Sequence, residues 1–574
     1  MSSKTPQFDK GLDEILRGLK PHKRICKICG GEFEIFPEDI KFYQRFRVSP
    51  PTLCPLCRMQ RRMAIALRIP PFYRRRCSVS GHSESVITLF PSTAPHSVYD
   101  NAYRRSDNWN ELDYGREYDP ATNFFEELKK LFFEVPHQAL FNDPKNVRSD
   151  YAIGGTEGKD CYYVSVPIRC ENILYGYLPM DSRDSVDVAN IETSELLYEC
   201  VNARGSYDCN FSANIENCRD SWFLYNCKNC SHCFMSSNLR NKSYVFCNRQ
   251  LPKDEYEKKL KGLELEKRSI LEGLRNEFEE LRKKAIHRAV DTRNAVGSFG
   301  DRIYDCKSCF YAFEAHNSEN VRYTASAINV KDAMDIFGVD GSSISYESAS
   351  TGYSSNIFFS GNIRGCSYVE YSFYCRDSHY CFGSVGLRNK KFCIFNKQYD
   401  EETYWKKVDA IKTAMLKRGE YGEFVPTGWM PYQNTLAQVE FPLTHEEAKR
   451  KGIEWWEHED DEILRKIQVL DVSEIPDTIE ETSEDILEKA IVCPITKKPF
   501  RVVKTELDFY RRKNLPIPVI HPDVRMRARF DAINRFRLWR RRCRKCRKDT
   551  FTSYASDRPE KNIWCESCYL KEIG

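Results

Sequence analysis

The sequence lacks several features that would place the protein in a familiar class. It has no apolar run of about 18 residues, the length that a membrane-spanning helix needs. Its first residues lack the continuous apolar stretch of a secretory signal, so we expect a cytoplasmic location. It also lacks a phosphate-binding loop, a nucleophile elbow and an HExxH zinc-hydrolase motif. These absences argue against a membrane protein and against enzymes of those classes.

Cysteine and charge, by contrast, are plentiful. There are 25 cysteines among 574 residues, and without an export signal they favour metal ligands and reduced, buried thiols over disulfides. The net charge is +5, with basic residues concentrated in 58–76 and 525–548 and acidic residues in 454–488. This separation predicts basic modules joined by an acidic tether, and a basic face for an anionic partner.

A long internal duplication occupies the middle of the sequence. Cys161 aligns with Cys309, and the string LRNK at 239–242 aligns with LRNK at 387–390, both at an offset of 148. Within each copy, short apolar stretches recur every ten to thirteen residues and are separated by Asn, Asp, Ser and Gly. This rhythm is typical of a parallel β-solenoid with about two strands in each coil.

The cysteines of the repeat allow more than one interpretation. The string CKNCSHC places Cys227, Cys230 and Cys233 at two-residue gaps, which would suit a metal cluster. The second copy keeps only the outer two, as Cys375 and Cys381. Stacked core thiols are therefore the favoured interpretation, because a free cysteine packs as a small hydrophobe. A disulfide ladder is the weaker alternative in a reducing compartment.

Paired CxxC motifs occur near both ends of the sequence. The N-terminal pair is separated by 24 residues and the C-terminal pair by 18. Four thiolates at such spacing match structural zinc, which holds a fold together and leaves no open position for catalysis. The predicted zinc ligands are Cys26, Cys29, Cys54 and Cys57 in the first site, and Cys543, Cys546, Cys565 and Cys568 in the second.

The two ends are also copies of each other. The segment 26–46 aligns with 493–513 at an offset of 467, which indicates an ancestral module with two zinc sites in tandem. We predict that each copy has kept one site, so that the chain binds two zinc ions and not four. The degenerate first site of the C-terminal copy is Cys493, Thr496, His521 and Val524; the degenerate second site of the N-terminal copy is Cys77, Ser80, Asp100 and Tyr103, with His82 and His96 nearby.

The predicted fold is mainly β: a duplicated parallel β-solenoid (β-helix) with a helical insertion, flanked by two homologous zinc-ribbon modules. The insertion is predicted from apolar residues at three- and four-residue spacing between positions 271 and 285. The predicted segments are an N-terminal zinc-ribbon module (1–120), β-solenoid copy 1 (121–251), the helical insertion (252–293), β-solenoid copy 2 (294–400), a helical and acidic linker region (401–490) and a C-terminal zinc-ribbon module (491–574).

Five strings spread along the chain carry a family resemblance. They are PPTLCPLCRMQRR (50–62), LDYGREYD (112–119), NLRNK (238–242), FPLTHEEA (441–448) and FYRRKNLPIP (509–518). With them the chain resembles an uncharacterised family of candidate-phyla-radiation bacterial proteins, in which terminal zinc-ribbon modules flank a Cys-rich β-solenoid. The resemblance covers nearly the whole chain and implies an architecture, but no reaction. The two degenerate zinc sites depart from the family pattern.

The favoured function is a non-enzymatic zinc-binding protein that binds nucleic acid or a ribonucleoprotein through its basic terminal modules. Arginine contacts phosphate with two parallel hydrogen bonds, and Phe536 or Trp539 would stack on exposed bases. The candidate contacts are Arg61, Arg62, Arg74, Arg75, Arg76, Arg540, Arg541 and Arg542.

Other interpretations stay open at this point. The arginines would instead pair with the acidic 454–488 segment, or the solenoid surface would serve a structural scaffold or assembly protein through protein–protein contacts. An enzyme is the least favoured alternative. A β-helix carbohydrate-active enzyme would use repeated carboxylates, here Asp184, Asp187, Asp332 and Asp335, although turn aspartates explain the same pattern.

Overall fold

The computed structural model describes residues 3–457 and 467–574. Residues 458–466, part of the predicted acidic tether, lie outside the described residues. Strands make up 32% and helices 26% of the chain, so the expectation of a mainly β fold understated the helices. Within the described ranges, no helix combines the length and the apolar character needed to cross a membrane.

The chain folds into two compact units, and each unit combines distant parts of the sequence. Unit 1 comprises Met1–Ile69, Tyr73–Ala139 and Asp291–His458; unit 2 comprises Pro70–Phe72, Leu140–Val290 and Glu459–Gly574. The N-terminal zinc module therefore belongs with the second half of the duplicated region, and the C-terminal module with the first half. The predicted segments follow one another along the chain, and the prediction did not say which of them would pack together.

Helices occur in both units. In unit 1 the α-helices are Pro6–Arg17, Pro37–Phe46, Pro55–Met63, Asn101–Arg105, Phe124–Glu134, Glu401–Arg418, Ala437–Glu440 and His445–Arg450. In unit 2 they are Lys253–Lys261, Arg268–Lys284, Lys504–Lys513, Pro522–Ala532 and Glu566–Glu572. The helix predicted in the insertion is confirmed as Arg268–Lys284, which buries Leu271, Leu274 and Phe278. The helix His445–Arg450 begins with a capping box, in which the Thr444 hydroxyl accepts from Glu447 N at 3.2 Å.

Most strands belong to two long ladders. Ladder 1 (152–250) contains Ala152–Ile153, Val164–Ser165, Glu171–Met180, Arg183–Glu192, Tyr198–Arg204, Tyr207–Asn210, Ala213–Glu216, Arg219–Tyr225, Ser231–Ser237, Ser243–Phe246 and Arg249–Gln250. Ladder 2 (292–398) contains Thr292–Val296, Phe299–Lys307, Phe310–His316, Glu319–Ile328, Lys331–Asp340, Ser343–Ala349, Ser355–Phe358, Ser367–Glu370, His379–Phe382, Lys391–Ile394 and Lys397–Gln398.

Short pairs of strands complete the fold. The antiparallel pairs are His22–Ile25 with Glu32–Ile35, Tyr73–Arg76 with Ser85–Thr88, Ala490–Val492 with Pro499–Phe500, and Trp539–Arg542 with Asp549–Thr552. The parallel pairs are Val98–Tyr99 with His137–Gln138, His287–Arg288 with Ile563–Trp564, and Val469–Leu470 with Ala490–Val492.

Pairing in the ladders follows one interval, except at the start of ladder 2, where Thr292 pairs with Ile303 eleven positions later. In ladder 2, Ala333 pairs in parallel with Ser345 and Cys381 with Cys393, so paired residues are twelve positions apart. The same interval holds through the parallel part of ladder 1. Each ladder ends on one short antiparallel strand. The interval lies inside the predicted range of ten to thirteen residues.

The backbone between pairings was not predicted. From Asp160 to Cys247 every third residue has a positive φ, and Gly205 is the glycine among them. Such residues include Tyr163 and Val166, whose side chains disfavour this conformation, as well as the Asn and Asp that tolerate it. The chain therefore bends at every third position, instead of forming the two five- or six-residue strands per coil that the apolar stretches suggested.

Cysteine thiols line the cores of both ladders. Cys200 Sγ lies 3.5 Å from the carbonyl oxygen of Tyr198, and Cys233 Sγ lies 3.3 Å from that of Ser231, so these thiols donate to the residue two positions earlier. Ser182 Oγ makes the equivalent bond to Met180 at 2.7 Å. Cysteine and serine thus occupy interchangeable core positions. All cysteines are free, as predicted, and the CKNCSHC cysteines are buried core thiols.

We expect these core thiols to be unreactive in the native protein. Burial raises the pKa of Cys161, Cys200 and Cys393 to about 12 in each case. Because the thiolate is the nucleophile, native alkylation by iodoacetamide at pH 8 should be at least about 100-fold slower than in denaturant. The rate is measured by mass spectrometry, as the fraction of each cysteine that is alkylated at successive times. Cys247, which is exposed, serves as the reactive internal control, and native labelling of Cys200 at the rate of Cys247 would contradict the expectation.

Candidate metal centres and basic surfaces

The N-terminal cysteines converge at the tip of a hairpin and the start of a helix. The turn after His22–Ile25 is held by a hydrogen bond from Cys26 N to Gly31 O at 2.9 Å. Cys54 is the N-cap of the helix Pro55–Met63. The Sγ atoms of Cys26, Cys29, Cys54 and Cys57 lie within 4.8 Å of one another.

The C-terminal cysteines repeat this construction. Cys543 N donates to Lys548 O at 2.8 Å across the hairpin turn, and Cys565 is the N-cap of the helix Glu566–Glu572. Cys565 N also donates to Cys543 Sγ at 3.3 Å. The Sγ atoms of Cys543, Cys546, Cys565 and Cys568 lie within 4.8 Å of one another. Among the described residues these are the two groups of Cys, His, Asp or Glu that can hold a metal ion.

Both groups have the dimensions of a tetrahedral thiolate site. Zinc–sulfur bonds of about 2.3 Å at tetrahedral angles separate the sulfurs by about 3.8 Å. The Sγ atoms of Cys29 and Cys54 are 3.8 Å apart, and those of Cys546 and Cys565 are 3.7 Å apart. A hydrogen bond from the Cys57 thiol lowers the pKa of Cys54 to about 5, which favours the thiolate form that binds zinc. The residues therefore fit zinc.

The degenerate sites keep the fold of a zinc knuckle without its ligands. Cys493 N donates to Lys498 O at 3.0 Å, as in an intact hairpin turn. In place of a second knuckle, His521 caps the helix Pro522–Ala532, and its Nδ1 accepts from Asp523 N at 3.1 Å. In the N-terminal copy, Asp100 Oδ1 caps its own helix, accepting from Ala102 N at 2.8 Å and Tyr103 N at 3.2 Å. Capping hydrogen bonds thus replace the zinc ligands at both sites, and neither group is among those that can hold a metal.

The helix Pro55–Met63, which begins at the second CxxC motif of the N-terminal module, inserts arginines into ladder 2. Arg58 and Arg62 are fully buried, and Arg58 Nε lies 2.9 Å from Asp335 Oδ1. Arg62 Nη1 lies 3.2 Å from Asp335 Oδ1 and 3.3 Å from Glu347 Oε2. Arg61 pairs with Glu347 at 3.5 Å and with Glu423 at 2.9 Å. We call Pro55–Met63 the docking helix of unit 1.

Unit 2 contains the same buried cluster at the sequence offsets of 467 and 148. Its docking helix, Pro522–Ala532, carries Arg525 and Arg529, and both arginines pair with the buried Asp187. The Arg529 pair measures 2.8 Å. Arg529 Nη1 lies 3.9 Å from Glu199, which corresponds to Glu347 in unit 1. Two further pairs are equivalent in the two units. The Arg45–Asp332 pair of unit 1 corresponds to Arg512–Asp184 in unit 2. The Asp39–Tyr323 hydrogen bond of unit 1 corresponds to Glu506–Tyr175 in unit 2.

This arrangement corrects one prediction and gives a structural role to the aspartates of the least favoured alternative. Arg61 and Arg62 are 6% and 0% exposed, so they have no surface with which to contact a nucleic acid. The four aspartates considered as candidate carboxylates each pair with an arginine of a zinc module, and Asp187 and Asp335 are completely buried. They are therefore contacts between module and ladder, not groups open to a substrate. The sequence alone does not distinguish an arginine or aspartate that faces solvent from one that is buried in an ion pair.

The two arginine triplets lie on short strands and alternate in exposure. Arg75 is half-buried and donates to Pro91 O at 3.2 Å, and Arg541 is half-buried and donates to Ala555 O at 3.1 Å. Burial lowers the pKa of Arg75. The flanking residues Arg74, Arg76, Arg540 and Arg542 are exposed. Four of the eight predicted contacts thus face solvent.

The structure also shows functional candidates that the sequence reasoning missed. Phe551 is 48% exposed and pairs across the hairpin with Arg540, whereas Phe536 is only 9% exposed and unsuited to stacking. Trp539 is half-buried, with the Arg537 guanidinium 5.3 Å from its ring centre. The exposed cations next to the knuckle are Arg544, Lys545, Arg547 and Lys548. The alternation of strand residues was the signal that could have separated inward from outward arginines.

Comparison with known proteins adds no family assignment. No protein-family model matches the chain, and no curated protein matches it significantly. The resemblance to the candidate-phyla-radiation family therefore rests on the five sequence strings alone.

Proposed function

We propose that this protein is a non-enzymatic, two-zinc protein that binds nucleic acid or a ribonucleoprotein through the basic hairpin of its C-terminal module. Each four-cysteine group would hold one structural zinc ion. The two ladders would be the coils of a duplicated parallel β-solenoid, with twelve residues to a coil. We also propose that the chain belongs to the candidate-phyla-radiation family that it resembles.

The observation that carries the proposal is the solvent face of the hairpin 539–552. The side chains of Arg540 and Arg542 are 72% and 81% exposed, and Asp549 is the carboxylate that pairs with both, at 2.5 Å and 3.8 Å. The knuckle between the strands adds Arg544, Lys545, Arg547 and Lys548 to the same hairpin. Glu572 pairs with Lys545, so two carboxylates lie beside six cations, and the remaining excess of positive charge suits a polyanion.

An exposed aromatic ring makes a nucleic acid the favoured polyanion. Phe551 lies directly across the hairpin from Arg540. Aromatic rings beside arginines bind single strands, because the ring stacks on a base while the guanidinium contacts the phosphate. The hairpin of the N-terminal module places Ile87 opposite Arg74, so it offers charge without a ring. We therefore assign the main contact to the C-terminal module.

The test compares two variants that lose the same charge. In the first, Arg74, Arg76, Arg540 and Arg542 are replaced by Ala; in the control, Lys253, Lys258, Lys259 and Lys261 of the exposed helix in unit 2 are replaced by Ala. Fluorescence anisotropy with a labelled single-stranded RNA measures affinity against salt. Each phosphate contact contributes about 0.7 to the log–log salt slope, so the arginine variant should flatten the slope by about 1 to 3.

The lysine control should keep the wild-type slope, and both variants should keep their zinc. If wild type fails to bind RNA or DNA at low salt, or if the two variants bind equally well, the proposal fails. The scaffold alternative would then be taken up.

A further inference from the structure

The two ladders differ at one face in a way that the 148-residue offset makes directly comparable. In ladder 1 an outward column alternates in sign up to its last step: Glu192, Arg204, Glu216, Lys228 and Arg240 follow at twelve-residue intervals. Arg204 pairs with Glu192 at 3.2 Å and Lys228 with Glu216 at 3.1 Å. The equivalent column of ladder 2 is Asp340, Gly352, Arg364, Arg376 and Arg388.

Ladder 2 thus places three arginines on consecutive steps. Paired strands lie about 4.8 Å apart, and like charges directly opposite each other destabilise a sheet. Arg364 is exposed, and Arg376 and Arg388 are half-buried. Asp377 follows Arg376 in the adjoining column, and Glu111 pairs with Arg388. The run of like charge nevertheless places three adjacent cations in this column, where the ladder 1 column has two.

A fourth arginine lies beneath the column. Arg104 is 6% exposed and donates to Pro136 O at 2.7 Å. Burial, together with the charges of Arg388 and Arg376, lowers the pKa of Arg104 to about 9, against the opposing effect of Glu111. An anion at the surface of this cluster would offset the mutual repulsion of its guanidinium groups.

The adjoining column of ladder 2 has also gained an aromatic ring. Tyr353 is 62% exposed, and the Arg364 guanidinium lies 5.6 Å from its ring centre. Its neighbours in the column are Gly341 and Gly365, which have no side chains to cover the ring. In ladder 1 the position of Tyr353 is Gly205, and the same column continues as an Asn ladder from Asn217 to Asn241.

We infer that Tyr353, Arg364 and Arg376 form a second binding site for single-stranded nucleic acid, on ladder 2 in unit 1. The arginines would follow the phosphate backbone, and a base would stack on Tyr353. The run of three arginines and the ring occur together in ladder 2, whereas ladder 1 has Glu216 in place of Arg364 and Gly205 in place of Tyr353. The other two positions carry cations in both ladders. The ring favours nucleic acid over inorganic polyphosphate, which has nothing to stack. The inference deepens the proposed function but uses a different unit of the protein.

The test converts the ladder 2 face into that of ladder 1. Arg364→Glu and Tyr353→Gly introduce the residues that ladder 1 carries at these positions, Glu216 and Gly205. Arg364→Glu should fold, because it recreates the Glu–cation pair of ladder 1. Lys41→Glu, at an exposed position of the helix Pro37–Phe46, is the control for the change in net charge. The probe is a fluorescein-labelled single-stranded oligo(U), with inorganic polyphosphate as competitor.

Each ladder 2 substitution should weaken oligo(U) binding by about tenfold, from a lost stack or a reversed phosphate contact. Lys41→Glu should change affinity less than about twofold. The inference is overturned if both substitutions bind like the control, or if Tyr353→Gly alone has no effect while polyphosphate displaces oligo(U) completely. If the Arg74, Arg76, Arg540 and Arg542 variant loses binding and these two do not, the proposed function stands without this site. If the two ladder 2 substitutions lose binding and the four-arginine variant does not, the ladder 2 site is supported and the hairpin is not the binding surface.

Discussion

Replacing Asp335 by Ala should destabilise unit 1 by about 3 to 5 kcal/mol, the cost of breaking a buried ion pair. Asp335 is completely buried and pairs with Arg58 and Arg62, which are also buried. Its removal leaves Arg58 and Arg62 to share Glu347 with Arg61, and the pKa of Glu347 is already raised by burial. Calorimetry should show the transition of unit 1 shifted to lower temperature. Asp187→Ala should act in the same way on unit 2, because Arg525 and Arg529 depend on it.

A control lies three residues away in the same ladder. Asp332 pairs with Arg45, whose side chain is 50% exposed, and exposed pairs contribute about 1 kcal/mol or less. Asp332→Ala should therefore have a small effect. A second variant separates charge from volume: Arg58→Met, Arg62→Met and Asp335→Leu together should restore much of the stability, since apolar replacements of buried ion pairs are often neutral. Equal losses for Asp335→Ala and Asp332→Ala would refute the buried-cluster account.

Loss of the N-terminal zinc site should release the docking helix of unit 1. Loss of the C-terminal zinc site should leave the docking helix of unit 2 in place. Cys54 belongs to the first four-cysteine group and is also the N-cap of Pro55–Met63, so a metal ion bound there would fix the helix that carries Arg58 and Arg62. Binding energies of structural zinc are about 10 kcal/mol or more, and they contribute to folding directly. Cys54→Ser should therefore expose the amides of this helix to hydrogen exchange and weaken unit 1.

The C-terminal module supplies the matched comparison. Its docking helix is capped by His521 and not by a zinc ligand, while its zinc site lies at Cys543 and Cys565. Cys565→Ser should remove one zinc yet leave the amides around Arg525 protected. Hydrogen exchange followed by mass spectrometry reads both helices in one experiment. If Cys565→Ser exposes Pro522–Ala532 as fully as Cys54→Ser exposes Pro55–Met63, zinc has no special role in docking.

The sequence was sufficient for the metal sites because their chemistry is local. CxxC spacing places thiols at a hairpin tip and at a helix start, and the 467-residue offset showed which ligands each copy had lost. The surviving groups, Cys26 to Cys57 and Cys543 to Cys568, come together as predicted. The twelve-residue interval of the ladders also fell within the predicted range, because the apolar residues repeat with it.

What the sequence did not reveal depends on long-range pairing. The arginines of the docking helices resembled a phosphate-binding surface, and Asp187 and Asp335 resembled turn residues. Each set was duplicated with its charge preserved, Arg58 as Arg525 and Asp187 as Asp335, and opposite charges preserved in two duplications were a signal that they meet. The left-handed residue at every third position had only a partial signal. Asn and Asp recur there and tolerate this conformation, but Tyr163 and Val166 have no intrinsic preference for it.

The most direct test of the central claim is the zinc content of the native protein, measured by inductively coupled plasma mass spectrometry. We predict two zinc ions per chain, one after Cys26→Ser or Cys543→Ser, and none after both. Cys77→Ser and Cys493→Ser should leave two ions, since these residues belong to the degenerate sites. A native count of four, or a loss of zinc on replacing Cys77 or Cys493, would contradict the account.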